Sequence, residues 1–295
     1  MFRSFFDELL SAAGLNEDFR NRRNRDLDLR WVSTMNELGY LYVAAGDARY
    51  RQEAVISAAS LRSVDPNAHI TLITDKEFNG SLFDRITVRP VAFTGWKAGL
   101  AYKTKHIYED SPYERTLFLD TDTYLYENCR ALFGLLDYFD VCMAAAPIAT
   151  RKPLIDGKPL TACIRYNTGV IAFRKNRRNE LLFRTWHETY EKKLWEKALR
   201  TGENDQKSFI QALLNSDSRV YVLPNVWNAR IEFDIGLIGS VKIVHARNED
   251  HEELRTKLNE TTRIRCWDPR QKRCIYRRAT LFKRIRRKVR AILAG

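Results

Sequence analysis

Ser111-Pro112-Tyr113-Glu114-Arg115-Thr116-Leu117-Phe118-Leu119-Asp120-Thr121-Asp122 is the stretch on which the fold turns. Its centre, Thr116–Leu119, is a short apolar run that stops on acidic residues. A run of this length, bounded by a polar turn, reads as a strand buried on both faces. Three similar runs precede it. Leu41-Tyr42-Val43-Ala44-Ala45 stops at Gly46, His69-Ile70-Thr71-Leu72-Ile73-Thr74 stops at Asp75, and Ile86-Thr87-Val88 is closed by Pro90. Tyr50–Leu61 and Tyr102–Glu109, which lie between these runs, are helical in composition and period. Strands that alternate with helices predict an α/β fold: a mostly parallel central sheet, Rossmann-like, flanked by helices. Further on, 140–146, 169–173, 220–223 and 241–244 read as strands, 179–197 and 205–214 as helices, and 151–160, with two prolines and a glycine, as a loop.

The 295 residues suffice for one large α/β domain with a full core. We expect an N-terminal helical extension over 1–36, the α/β domain over 37–265 and a basic amphipathic tail over 266–295. The net charge of +13 is concentrated at one end. Eleven Lys or Arg and no acidic residue lie between Arg270 and Gly295, so residues 1–269 carry only +2. A nucleic-acid-binding domain would spread its charge over a face, so nucleic acid is a disfavoured partner. No run approaches the length of a membrane-spanning helix, and Asp7 and Glu8 interrupt the first apolar stretch where a leader would be unbroken. Five cysteines without a Cys-x-x-Cys pair favour free thiols over a Cys266–Cys274 bridge. These features point to the cytoplasm.

The sequence contains no G-x-x-x-x-G-K-[ST] loop, no G-x-G-x-x-G, no G-x-S-x-G and no H-E-x-x-H. With 13 glycines in the chain, a glycine-rich phosphate cradle is not expected. Phosphate would then be handled through a metal ion. Asp120 and Asp122, one residue apart at the carboxyl end of a buried strand, can share Mn²⁺ or Mg²⁺, whose shell is commonly completed by substrate phosphate and water. In open α/β sheets that edge is where ligands bind. The same spacing at Asp26 and Asp28 has no strand before it and reads as a solvated face or a helix cap. His245 ends another apolar run, 241–244, and is a candidate third ligand; an imidazole shifts preference toward Mn²⁺. His69, His106, His187 and His251 have no comparable setting.

The stretch from Lys103-x-Lys105 through Asp122 resembles the donor-site segment of GT-A-fold glycosyltransferases. Tyr166-Asn167-Thr168-Gly169-Val170-Ile171, Asn204-Asp205-Gln206-x-x-Phe209 and Val244-His245 resemble, in order, three segments of the glycogenin-like family 8 enzymes. Val43-Ala44-Ala45-Gly46-Asp47 resembles their nucleotide-binding first strand, so the likeness spans about 40–248. It implies that Asp120, Asp122 and His245 hold the metal, with Asp120 also near the donor ribose. Ala44, Ala45 and Asp47 would border the nucleoside, with Asp75 contacting the base. Lys105 would face the diphosphate, Asn167 and Gly169 would line the sugar, and Asp205 and Gln206 would lie near its anomeric face. One segment differs: Ala246-Arg247-Asn248-Glu249-Asp250 follows the histidine where the family has a glycine-rich, lysine-containing loop. Arg247 can supply the positive charge, as a planar fork rather than a point charge.

The resemblance implies a metal-dependent hexosyltransferase. It would move a sugar from a nucleoside diphosphate sugar, a UDP-sugar being favoured, to a hydroxyl on a glycan or glycolipid, with retained anomeric configuration. An inverting enzyme would need a base, for which Asp205 and Asp234 are candidates. Two alternatives are a sugar nucleotidyltransferase, disfavoured by the single glycine in Gly46-Asp47-Ala48-Arg49-Tyr50, and a degenerate, non-catalytic scaffold acting through its tail. In that tail, Leu281, Phe282, Ile285, Val289, Ile292 and Leu293 fall on one helical face, and Lys283, Arg284, Arg286, Arg287, Lys288 and Arg290 fill the rest. Residues 280–293 would thus make a peripheral contact with an anionic membrane surface. Docking on the protein's own core or on an acidic polymer are the alternatives.

Overall fold

The computed structural model describes residues 36–91, 95–147, 154–155, 158–159, 164–197 and 204–276. The expected N-terminal extension, Asp26 and Asp28, and the amphipathic segment 280–293 lie outside the described residues.

In chain order the elements are β1 (Asn36–Ala44), α1 (Ala48–Val64), β2 (Ile70–Thr74), β3 (Arg85–Val88), α2 (Trp96–Glu109), β4 (Tyr113–Leu119), β5 (Thr123–Leu125), α3 (Ala131–Leu135) and β6 (Val141–Ala145). They continue with β7 (Leu154–Ile155), β8 (Lys158–Pro159), β9 (Tyr166–Arg174), α4 (Arg177–Trp195), α5 (Gln206–Leu214), β10 (Val220–Leu223), β11 (Ala229–Arg230), β12 (Ile235–Leu237) and β13 (Ile243–His245). The last described are α6 (His251–Leu258), β14 (Arg265–Asp268) and β15 (Arg273–Ile275). Where a loop was expected at 151–160, β7 and β8 form a two-residue antiparallel pair.

Seven strands form one sheet in the order β10-β6-β9-β4-β1-β2-β3. β1, β2 and β3 are parallel, as are β6 and β10, while β9 runs antiparallel to both β4 and β6. The apolar runs are continuous because both faces of this sheet are covered. On one face Tyr40, Tyr42 and Ala44 of β1 pack with Ala54, Ala58 and Leu61 of α1 and with Leu132 and Phe133 of α3. On the other, Leu41, Val43 and Ala45 join Ile107 of α2, Phe183 and Trp186 of α4 and Phe209 of α5. Strand side chains alternate, so successive residues of one strand serve two cores. Each large apolar side chain fully buried here contributes about 1.5–3 kcal/mol. The polar tips are accounted for: Tyr40 donates to Asp65 at 2.9 Å and Tyr42 shares a 3.0 Å hydrogen bond with Ser57.

A third core lies under two small sheets, β11-β13-β5 and β12-β14-β15. Trp267 of β14 is buried in it and donates its indole N–H to the Ile231 carbonyl at 2.8 Å. The compact fold therefore runs past 265, where the basic tail was expected to begin. Cys266 is exposed and Cys274 is buried, and both are free thiols, as are Cys129 and Cys142.

Candidate active site

β4 ends at Leu119, and its ladder continues one step further, with the Asp120 N–H donating to the Gly169 carbonyl of β9 at 2.7 Å. The chain then turns. The Thr123 N–H and hydroxyl both donate to the Asp120 carbonyl, at 3.1 and 2.8 Å. β5 leaves the turn and pairs antiparallel with β13 in a register that sets His245 opposite Thr123. The Ala246 N–H donates to the Asp122 carbonyl at 3.0 Å. The pairing of β5 with β13 thus carries His245, distant in sequence, to the acidic turn.

His245 Nε2 lies 3.1 Å from Asp122 Oδ1 and 3.8 Å from Asp120 Oδ2. One ligand atom from each of the three side chains falls within 4.8 Å of the others. Asp120 is the most accessible of the three, its side chain 27% exposed against 11% for Asp122 and 6% for His245. Burial pushes the Asp120 carboxyl above the ordinary carboxylate range despite the opposing pull of Lys103 and His245. Burial acts the same way on Asp122, but His245 and Arg247 outweigh it and hold that carboxyl well below the usual range.

The other ring nitrogen, Nδ1, faces Asn228 Oδ1 at 3.1 Å. Nε2 is therefore left to meet two carboxylates. Two carboxylates and one imidazole that converge in this way suit a divalent ion.

Two basic side chains flank this group. Lys103 of α2 is buried, with its ammonium 2.8 Å from Asp205 Oδ2 and 3.7 Å from Asp120 Oδ1. Burial alone would lower its pKa, but Asp120 and Asp205 together raise it. Arg247 reaches Asp122 Oδ2 at 3.2 Å and Glu53 of α1 at 2.9 Å, and Glu53 also accepts from the Thr121 hydroxyl at 2.9 Å. A cavity of about 250 Å³ adjoins Arg247, walled by Trp267, Pro269, Glu232, Glu249 and Lys272.

The structure places the other expected residues as follows. Ala44 ends β1 and Ala45 follows it, and both are buried. Asp47 caps α1, accepting from the Arg49 N–H at 2.9 Å. Asp75 is buried and tied to Arg51 at 3.1 Å. Asn167 is buried, and its side-chain oxygen is engaged by the Gly169 N–H and by Asn228. Asp205 precedes α5 yet makes no side-chain cap; it accepts from Thr168 at 3.0 Å and pairs with Lys103. Gln206 begins α5 and is buried. Asp234, the other candidate base, is exposed just before β12.

The two lysines of α2 face different surroundings. Lys105, expected to face a diphosphate, is exposed on the outer side of α2, and Lys103 is the one that enters the site. Two residues apart on a helix is about 200° of rotation, so the pair cannot serve one site. Helical period separates the two lysines, and packing sets Lys103 on the buried side of α2 with Tyr102, Thr104, His106 and Ile107. Asn228 and Glu53 carried no such signal, since each acts through a partner remote in sequence.

No protein-family model and no curated protein match the chain. Among solved structures, mouse xyloside xylosyltransferase 1 in its apo form is similar over 72% of this chain and 98% of its own, with 14% identity and a TM-score of 0.49. The glycosyltransferase GlyE of Streptococcus pneumoniae is similar over 66% of this chain and 48% of its own, with 16% identity and a TM-score of 0.47. The galactosyltransferase LgtC, solved with donor and acceptor sugar analogues, is similar over 70% of this chain and 87% of its own, with 14% identity and a TM-score of 0.46. Among the described residues no helix is long and apolar enough to cross a membrane.

Proposed function

We propose that the protein is a metal-dependent glycosyltransferase. It would move a sugar from a nucleoside diphosphate sugar, a UDP-sugar being favoured, to a hydroxyl group of a glycan or glycolipid. The observation that carries this reading is the convergence of Asp120, Asp122 and His245 at the carboxyl edge of the sheet, with Lys103 and Arg247 beside them.

Asp120, Asp122 and His245 would hold Mn²⁺ or Mg²⁺. When bound, such an ion supplies Lewis-acid neutralisation of charge on the departing diphosphate. The ends of β1 and β2, with Ala44, Ala45, Asp47 and Asp75, would border the nucleoside. Lys103 and Arg247 would add positive charge toward the phosphates. Asn167 and Gly169 would line the sugar, and Asp205 and Gln206 would lie against its anomeric face.

In the transfer, the bond between the anomeric carbon and the diphosphate oxygen breaks. A bond from that carbon to the acceptor oxygen forms, and the acceptor proton leaves with the diphosphate. Asp205 is engaged by Thr168 and Lys103, which leaves it poorly placed to strip a proton from the acceptor. Transfer with retained configuration needs no strong base, and it is the outcome the resemblance implies. The cavity beside Arg247 would receive the acceptor, with its carboxylates and lysine meeting sugar hydroxyls.

Thermal shift against UDP, GDP, ADP and CDP, with and without Mn²⁺, tests the reading. A nucleotide at one hundred times its Kd adds about 2.7 kcal/mol, a rise on the order of 5 °C at this size. A shift that requires Mn²⁺ and disappears in Asp122→Ala supports it. No shift with any nucleotide in well-folded protein favours the scaffold alternative.

A further inference from the structure

A chain of hydrogen bonds behind His245 places a hydrogen on one of its ring nitrogens. It starts at a group whose role is unambiguous. The Gly169 backbone N–H can only donate, and it lies 2.9 Å from the side-chain amide of Asn167, so the atom facing it is the Asn167 oxygen. That same oxygen lies 2.8 Å from the Asn228 amide, so the Asn228 atom facing it is the NH₂ group. The other arm of Asn228, its oxygen, lies 3.1 Å from His245 Nδ1. An oxygen acceptor there requires Nδ1 to be the donor. All four residues are buried, so no solvent competes for these contacts.

We infer that Asn228 is a positioning residue for the metal centre. Through Asn167 and the Gly169 N–H, it holds His245 with a hydrogen on Nδ1 and with Nε2 turned toward Asp120 and Asp122. Metal-bound histidines commonly donate their second ring N–H to a carboxylate, a backbone carbonyl or water. Here a side-chain amide takes that role, and it is itself oriented by the backbone of β9. Asn167 accordingly acts at one remove from the site. Asn228 sits where the chain passes from Asn225–Trp227 into β11, and β11 pairs with β13 in a register that sets Arg230 opposite His245. Strand pairing therefore brings the amide to the ring.

This inference rests on the metal-dependent reading, and its test separates the two. Mn²⁺ is titrated into the full-length protein without nucleotide, and free Mn²⁺ is followed by electron paramagnetic resonance. Wild type, Asn228→Ala, Asn228→Asp and Asp122→Ala are compared, with circular dichroism confirming folded protein. Asn228→Ala is expected to weaken binding about 10- to 100-fold. Asn228→Asp returns an oxygen to Nδ1 and is expected to bind more tightly than Asn228→Ala. Equal affinity in wild type and Asn228→Ala overturns the role of Asn228 and leaves the metal site standing. No binding by wild type overturns the metal reading and this inference together. If Asn228→Ala does not fold, long-range ¹⁵N–¹H correlation on the Mg²⁺-loaded wild type decides. Hydrogen on Nδ1 of His245 is expected, and hydrogen on Nε2 overturns the assignment.

Discussion

Gly169 and His245 approach so closely that a single methyl group at position 169 would occupy the imidazole's place. A Cβ built there would lie 2.1 Å from His245 Cε1 and 2.8 Å from Asp120 Oδ2. Real contacts of that kind do not occur, so the glycine is required by space beneath the metal-ligand candidates. Gly169→Ala is expected to displace the ring and cost about 1–3 kcal/mol. Urea denaturation measures the cost, and Mn²⁺ titration should show affinity lowered by about tenfold or more. Unchanged affinity would mean that the ring moves aside without consequence for binding.

The two lysines of α2 make a controlled pair. Lys103→Met leaves Asp205 buried without its ion-pair partner, and one-sided loss of a buried pair costs about 3–5 kcal/mol. Lys105→Ala changes an exposed side chain and should stay within about 0.5 kcal/mol of wild type. Denaturant midpoints of the two variants check both statements, and equal midpoints would contradict the placement of Lys103.

Arg247 has a partly exposed side chain, and its ion pairs with Glu53 and Asp122 contribute little to stability. Arg247→Ala should therefore lower stability by about 1 kcal/mol or less. If the guanidinium meets a diphosphate, the same variant binds UDP about tenfold more weakly, a loss of about 1.4 kcal/mol. Uridine affinity should not change. Calorimetric titration with both ligands distinguishes a phosphate contact from a general weakening of the site.

Far from these residues, Asp140 is fully buried where Arg174 and Arg219 reach it, at 2.7 and 3.1 Å. Burial would raise its pKa, but hydrogen bonds from Arg219 and Arg174 outweigh it and lower the carboxyl to about 2. A group whose folded pKa is depressed contributes its stability above the unfolded value, and that contribution fades as pH falls toward the folded one. At about 1.4 kcal/mol per unit, the linkage is on the order of 2 kcal/mol. The stability gap between wild type and Asp140→Asn should be constant above about pH 5 and shrink from about pH 4 toward pH 2. Urea unfolding across that range measures it, and a gap that does not change with pH would contradict the pairing.

Much of this architecture was legible in the residues. Continuous apolar runs such as Leu41–Ala45 and Thr116–Leu119 specify strands covered on both faces, because a strand with one wet face alternates. Their polar stops, Asp75 and Asp120, mark the edge where ligands bind. Gly169 was expected to line the sugar, whereas the space its missing side chain leaves is taken by His245 and Asp120. What local pattern cannot specify is which distant residues meet. His245 joins Asp120 and Asp122 through the pairing of β13 with β5, and Asn228 reaches His245 through β11, contacts set by register across the fold. The choice of Lys103 over Lys105 depends on the rotational phase of α2 against the sheet, which packing settles. Periodicity and chain termination are local properties of a sequence. Side-chain convergence depends on how strands pair and helices pack, and here it decides the metal-ligand candidates, their tautomer and the lysine that faces them.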